Sequence, residues 1–211
     1  MLRTALSSAM AIALGYGAAS WLTHDFQVWT DEGARRLEVA LKPIASPDIA
    51  IHGPTTAATT LPALLAGEDG VTIVDFVYTR CVTACLALGS VFQQIQQALL
   101  ADAAAGQRDR VRLLSISFDL ARDDDAALAS YAVRLHANPG IWRFVRPVDA
   151  AGLSTLLRRW GVVVLDAPFG EFEHNAALLV IDRHGRMVRV FDLSEQQLAL
   201  DYARHLARSV P

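Results

Sequence analysis

The stretch Val71-Thr72-Ile73-Val74-Asp75-Phe76-Val77-Tyr78-Thr79-Arg80-Cys81-Val82-Thr83-Ala84-Cys85 changes character part-way along. Residues 71–78 are apolar, β-branched or aromatic with one exception, Asp75, and they follow Gly70, which suits a buried central strand. From Cys85 onward the apolar residues Leu88, Val91, Phe92, Ile95 and Leu99 recur at helical spacing until Gly106. A buried strand that turns into a helix predicts one unit of a layered α/β structure.

Downstream, residues 111–118 (VRLLSISF) read as a second strand. Asp123, Asp124 and Asp125 stand before a helical stretch at 126–136, where acidic side chains cap free amides and favour the positive helix end. Residues 142–145 predict a short strand, 150–160 a helix, and 176–182 with 187–193 a β-hairpin around Arg183-His184-Gly185. Ser194 is expected to cap a last helix over 195–209. That element order is the order of an α/β, thioredoxin-like sandwich: a central mixed sheet flanked by helices, with one inserted helical unit, over residues 68–211.

Upstream, residues 25–67 are weakly patterned and interrupted by Pro43, Pro47, Pro54 and Pro62, and read as a linker and an irregular or short-stranded lead-in. Residues 1–24 differ. Arg3 precedes an uncharged run over 4–23 rich in Ala, Leu, Gly and Ser, about 30 Å long as a helix and so able to cross a bilayer core. The positive charge of Arg3 and the amino terminus faces Asp25, Asp31 and Glu32 across this run, which orients the bulk of the chain outside the cytoplasm. An uncleaved N-terminal transmembrane anchor is expected. A cleavable signal peptide, suggested by the small residues at 17–20, is the alternative. No Arg-rich, acid-poor transit peptide precedes the run, which points to a bacterial inner membrane and a soluble domain in the periplasm.

The 211 residues are 53% hydrophobic and 19% charged, enough for one sizeable core and too polar for a multispanning membrane protein. A net charge of −3 and the lack of any Lys/Arg block argue against nucleic acid as a partner.

Cys81 and Cys85 are the two cysteines of the chain, too few to staple a fold, so chemistry is the better reason for their pairing. A four-residue offset at the start of a helix can aim both sulfurs the same way, as a two-thiol claw or as a disulfide. The helix amides and dipole favour thiolate over thiol. Two thiolates do not complete a copper(I) or zinc site, so a third ligand is required. Of six histidines, His24, His52, His136, His184 and His205 fall on flanks, helix ends and turns, where ordinary surface residues sit. His174 follows the Pro168–Glu173 loop and precedes the strand expected at 176–182. In a thioredoxin fold that loop lies against the cysteine-bearing turn. Asp75, a carboxylate in an apolar strand six residues before Cys81, is either a buried acid able to exchange a proton with a thiol, or a group that faces a polar edge or bonds a neighbouring backbone group.

The segment Tyr78-Thr79-Arg80-Cys81-Val82-Thr83-Ala84-Cys85 is one of three linked motifs. The second is Ser115-Ile116-Ser117-Phe118-Asp119 with Arg122-Asp123, and the third is Glu173-His174-Asn175 ahead of Leu179-Val180-Ile181-Asp182. Together they resemble the Sco/SenC family over about residues 70–192. The resemblance implies a thioredoxin-fold copper chaperone, usually tethered by one N-terminal helix, that helps metallate the copper A centre of cytochrome c oxidase subunit II or serves another periplasmic copper protein. It also implies that Cys81, Cys85 and His174 are the metal ligands, for copper(I) or copper(II). The Asp75-Phe76 pair is similar to thioredoxins proper, where a buried Asp assists proton transfer at the second cysteine, which implies a thiol-redox role for Asp75 beside Cys81 and Cys85. The chain departs from the family where Val82 and Leu86 replace the prolines common after each cysteine, and where Glu173 replaces an Asp. The alternative function is a periplasmic thiol:disulfide oxidoreductase that reduces the cysteines of an apo copper protein; it needs Cys81 and Cys85 and leaves His174 without a purpose.

If the apolar helix stays attached, cell fractionation will recover the chain in the membrane. A soluble product beginning near Ser20 or Trp21 would restore the signal peptide.

Overall fold

A computed structural model describes residues 2–23, 25, 26, 28–67, 70–80, 84–107 and 110–209. The chain divides into two compact units, residues 1–42 and 43–211. The first holds α1 (Leu2–Leu22) and α2 (Asp31–Leu41). By length and composition, residues Arg3–Leu22 of α1 can cross a membrane. The stretch expected as an irregular linker thus contains a regular helix. Thr30 caps α2 by accepting from the Gly33 amide at 3.0 Å, and Glu32 is held by Arg35 and Arg36 one turn on, at 2.7 and 2.9 Å. The prolines that argued against helix all lie beyond Leu41.

The second unit runs β1 (Ile44–Ala45), β2 (Ile51–His52), α3 (Leu61–Gly67), β3 (Val71–Val77), α4 (Ala84–Ala104), β4 (Val111–Ser117) and α5 (Asp125–Arg134). It continues through β5 (Trp142–Pro147), α6 (Ala150–Trp160), β6 (Val164–Asp166), β7 (Phe172–His174), β8 (Leu178–Ile181), β9 (Arg186–Phe191) and α7 (Gln196–Arg208). α3 also lies in the expected lead-in, and its Pro62 sits in the first turn, where a missing N–H costs nothing.

Among the described residues the main sheet has the order β1-β9-β8-β3-β4-β5-β2. β3, β4 and β5 run parallel, and β8, β9 and the short edge strands pair antiparallel. This is the expected mixed sheet flanked by helices, the thioredoxin-like sandwich. β3 is central and buried along its whole length, because helices cover both sheet faces. On one face Ile73 and Val77 pack with Val91, Phe92 and Ile95 of α4 and with Ala199 and Leu200 of α7. On the other, Phe76 meets the Trp160 ring of α6 edge-on at 6.1 Å. Gly161 ends α6 in the left-handed conformation, φ 66°, which a glycine adopts without steric cost.

Two local expectations are corrected. Ser194 does not cap the last helix. Asp192 and Glu195 form a reciprocal capping box around the 3₁₀ turn Leu193–Glu195, with the Asp192 amide donating to Glu195 at 2.8 Å, and α7 follows from Gln196. The Pro168–Glu173 loop is in fact largely the turn and second strand of a hairpin, β6–β7, whose register sets Val164 opposite His174.

Phe92 is fully buried and lies 5.3 Å from the Trp142 ring. Phe92→Ala should destabilise the fold by about 3–5 kcal/mol, read from urea unfolding.

Candidate functional site

β3 delivers the chain to the cysteine segment. Tyr78 follows the strand and is buried, then come Thr79 and Arg80. Cys81, with Val82 and Thr83, lies outside the described residues, and Cys85 belongs to the first turn of α4. The approach to Cys81 is tied at three polar groups of Thr79. Its amide donates to Asp123 Oδ2 at 3.0 Å, its hydroxyl donates to Asp123 Oδ1 at 2.6 Å, and its carbonyl accepts from Arg134 of α5 at 3.1 Å. Ser117, at the end of β4, donates to the same Asp123 carboxylate at 2.6 Å. Asp123 is fully buried, and these donors replace the water it has lost.

His174 is the last residue of β7. Its ring lies 5.2 Å from that of Phe118, which follows β4, and both ring nitrogens are buried without a hydrogen-bond partner. An imidazole withdrawn from water in this way leaves at least one lone pair unused. Burial holds its pKa below the usual histidine value, so the neutral form is favoured. The hairpin carrying it is seated on the strand ends. Phe172 packs edge-on against Tyr78 and Phe118 at 5.2 and 5.5 Å, and the Tyr78 hydroxyl donates to Glu171 while accepting from the Phe172 amide at 3.3 Å. His174 therefore stands at the same end of the sheet as the Tyr78-Thr79-Arg80 approach to Cys81.

Asp75 is fully buried in β3, opposite Ser115 of β4 in the ladder. By strand alternation it shares the face of Ile73 and Val77, which α4 covers. Neither carboxylate oxygen makes a hydrogen bond. Ser115 Oγ accepts from the Trp142 indole N–H at 2.8 Å, and its own hydroxyl, beside the carboxyl, favours the charged form. Desolvation dominates and pushes the carboxyl up to about 7. Asp75 thus lies buried and not at a polar edge.

The other histidines hold no comparable position. His52 is largely exposed, 3.9 Å from an Asp125 oxygen, and His136 is exposed after α5. His184 accepts from Arg183 at 3.2 Å, and His205 lies 3.4 Å from the Ser209 hydroxyl. His24 lies outside the described residues. Among the described residues, which do not include Cys81, no three His, Cys, Asp or Glu side chains gather as a metal site. Sequence reasoning did not find Tyr78, Phe118 and Phe172 as the seat of the His174 hairpin. Their aromatic character was legible, but the strand-end packing that unites residues some forty and ninety positions apart was not.

The SCO1/SenC family model matches residues 65–209. The chain belongs to the SCO1/SenC family. No curated protein matches it. Bradyrhizobium japonicum ScoI with copper bound superposes with a TM-score of 0.62 at 20% identity, over 77% of this chain and 99% of that one. Yeast Sco1 with copper bound gives 0.62 at 16%, over 80% and 92%. BsSco, a member of the Sco family of cytochrome c oxidase assembly proteins with an identified disulfide switch, gives 0.66 at 16%, over 80% and 96%. At these identities the likeness speaks for the fold. Family membership rests on the matched sequence model, which spans every described element of the candidate site.

The raised pKa of Asp75 has a measurable sign. The folded chain holds a proton on Asp75 between pH 3.8 and about 7 that the unfolded chain has released, so stability falls as pH rises through this interval. Asp75→Asn removes the titration. The wild type should lose on the order of 4 kcal/mol more than the variant across that window, in urea unfolding of the reduced protein. Parallel profiles would mean that Asp75 is ionised in the folded state.

Proposed function

We propose that this SCO1/SenC protein is a copper(I) metallochaperone that delivers copper to, or matures, the copper A centre of cytochrome c oxidase. Cys81, Cys85 and His174 hold the metal, which is cargo. The observation that carries the reading is His174, a half-buried imidazole at the cysteine end of the sheet whose two ring nitrogens have no hydrogen-bond partner. A neutral ring nitrogen and two thiolates form a soft, low-coordinate donor set suited to copper(I). The first turn of α4 carries Cys85, so helix amides favour its thiolate. Passing copper(I) to an acceptor's thiolates exchanges like donors for like, with no electron transferred. The copper-bound relatives ScoI and Sco1 support the metal, and BsSco's place among cytochrome c oxidase assembly proteins supports that destination, with subunit II, or another periplasmic copper protein, as the proposed acceptor. α1 fits a single-pass inner-membrane anchor that keeps residues beyond about 25 in the periplasm.

One observation favours a second reading, a thiol:disulfide oxidoreductase acting on the cysteines of an apo copper protein. Asp75 is a buried, unbonded acid on the sheet face covered by α4, with a pKa of about 7. Such a group can take a proton from Cys85 as its thiolate forms and return it as a disulfide opens.

The two readings share sulfurs and differ in their need for the imidazole. The reduced protein should bind one copper(I), and oxidation to a Cys81–Cys85 disulfide should abolish tight binding, because a disulfide sulfur has no thiolate charge to donate. His174→Ala should weaken copper by at least roughly 10- to 100-fold and leave disulfide formation intact. Full affinity in that variant removes His174 from the site. Brisk disulfide exchange by a wild type that binds no copper hands the function to the oxidoreductase, whose rate and pH profile Asp75→Asn should then change.

A further inference from the structure

Residues 119–123, between β4 and α5, touch both segments that carry the proposed ligands. The turn is tight: the amides of Arg122 and Asp123 both donate to the Asp119 carbonyl, at 3.2 and 2.9 Å, and the Asp119 amide donates to Ser117 Oγ at 3.1 Å. Asp123 points one way and Arg122 the other. Asp123 binds the amide and hydroxyl of Thr79, two residues before Cys81. Arg122 pairs its Nε with the buried Asp119 carboxylate at 2.6 Å, donates from Nη1 to the Gly170 carbonyl at 3.1 Å, and lies 5.3 Å over the Phe172 ring, two residues before His174. Gly170 is shaped for this contact. Its φ is +75°, and a Cβ there would stand 3.3 Å from Arg122 Nη1.

We infer that the Asp119–Asp123 turn is a strut that fixes the His174 hairpin and the Cys81 approach relative to each other. Arg122 and Asp123 are thus positioning residues for the two halves of the metal site. The inference rests on the assignment of Cys81, Cys85 and His174 as ligands. Neither residue needs to touch the metal. Arg122 is suited to its part because a guanidinium presents several donors in a rigid fork, serving a carboxylate, a carbonyl and a ring face at once. Asp123 is suited to its part because a buried carboxylate with three donors is costly to move. The strut joins elements about fifty residues apart on either side, and it adds a polar tie between the β6–β7 hairpin and the cysteine segment beside the contacts that Tyr78 makes with Glu171 and Phe172.

The test uses the reduced full chain in detergent and separates the two halves. Arg122→Ala should speed amide hydrogen exchange in the 164–174 hairpin and leave α4 and α7 unchanged. It should weaken copper(I) roughly 10-fold by competition with a chromophoric chelator. It should have no further effect in a His174→Ala background and leave the Cys81/Cys85 reduction potential where it was. Arg122→Lys should recover part of the affinity. Asp123→Asn should do the reverse: faster exchange over residues 78–80, a shifted reduction potential, and weaker copper even without His174. If Asp123→Asn does not fold, Thr79→Val, which deletes only the hydroxyl bonded to Asp123, should give the same shifts in smaller measure. Unchanged hairpin exchange in Arg122→Ala, or an equal loss of copper with and without His174, overturns the strut. A wild type that binds no copper overturns the chaperone reading instead, and the exchange and potential measurements then decide the strut alone.

Discussion

Burial of β3 on both faces is the constraint on which the rest of this structure depends. Every residue from Val71 to Tyr78 is out of solvent, flanked by β4 and β8 in the sheet and by helices above and below. A strand so enclosed must be almost wholly apolar, and it must release the chain at its C-terminal end, where the sheet opens. The cysteine segment begins at that release point. Asp75 breaks the apolar rule inside the strand, and the enclosure turns it into an acid poised near neutrality. Holding a carboxyl there costs the fold stability as pH rises toward that value.

Around the strand ends the structure changes from apolar packing to a small set of buried ionic and aromatic contacts. Tyr78, Phe118 and Phe172 pack ring to ring and seat the hairpin, while Asp123 and Arg122 bond backbone groups on either side. Backbone donors and acceptors at the end of a sheet have no ladder partner, so side chains from the following turn satisfy them. That accounting explains why two adjacent charged residues, Arg122 and Asp123, are both at least partly buried and point to different segments. For a protein proposed to hold and release a soft cation, it also means that the two cysteines and the histidine would be held by separate elements joined through Tyr78 and through one turn.

Much of this was legible in the sequence because its signals are local. The β-branched run at 71–77, the helical spacing after Cys85 and the apolar strands at 111–117 and 178–181 each identify themselves within a few residues, and their order identifies the thioredoxin-like sandwich. The helix Asp31–Leu41 was missed since its charged face and lone Gly33 dilute the pattern, and Ser194 was mistaken for a cap since a Ser before a Glu is a common signature that the stronger Asp192 displaced.

By itself the sequence determined the fold class, the apolar N-terminal helix and the short list of chemically able residues, Cys81, Cys85, His174 and Asp75, because residue type and spacing along the chain suffice for these. Only the tertiary structure decided that Asp75 lies buried without a hydrogen bond, that His174 ends a β-hairpin seated on Tyr78 and Phe118 with both ring nitrogens withdrawn from water, and that one turn at 119–123 grips residues near 79 and 170. Desolvation and hydrogen-bond satisfaction depend on neighbours brought from distant parts of the chain, and no local pattern of residues encodes who those neighbours will be.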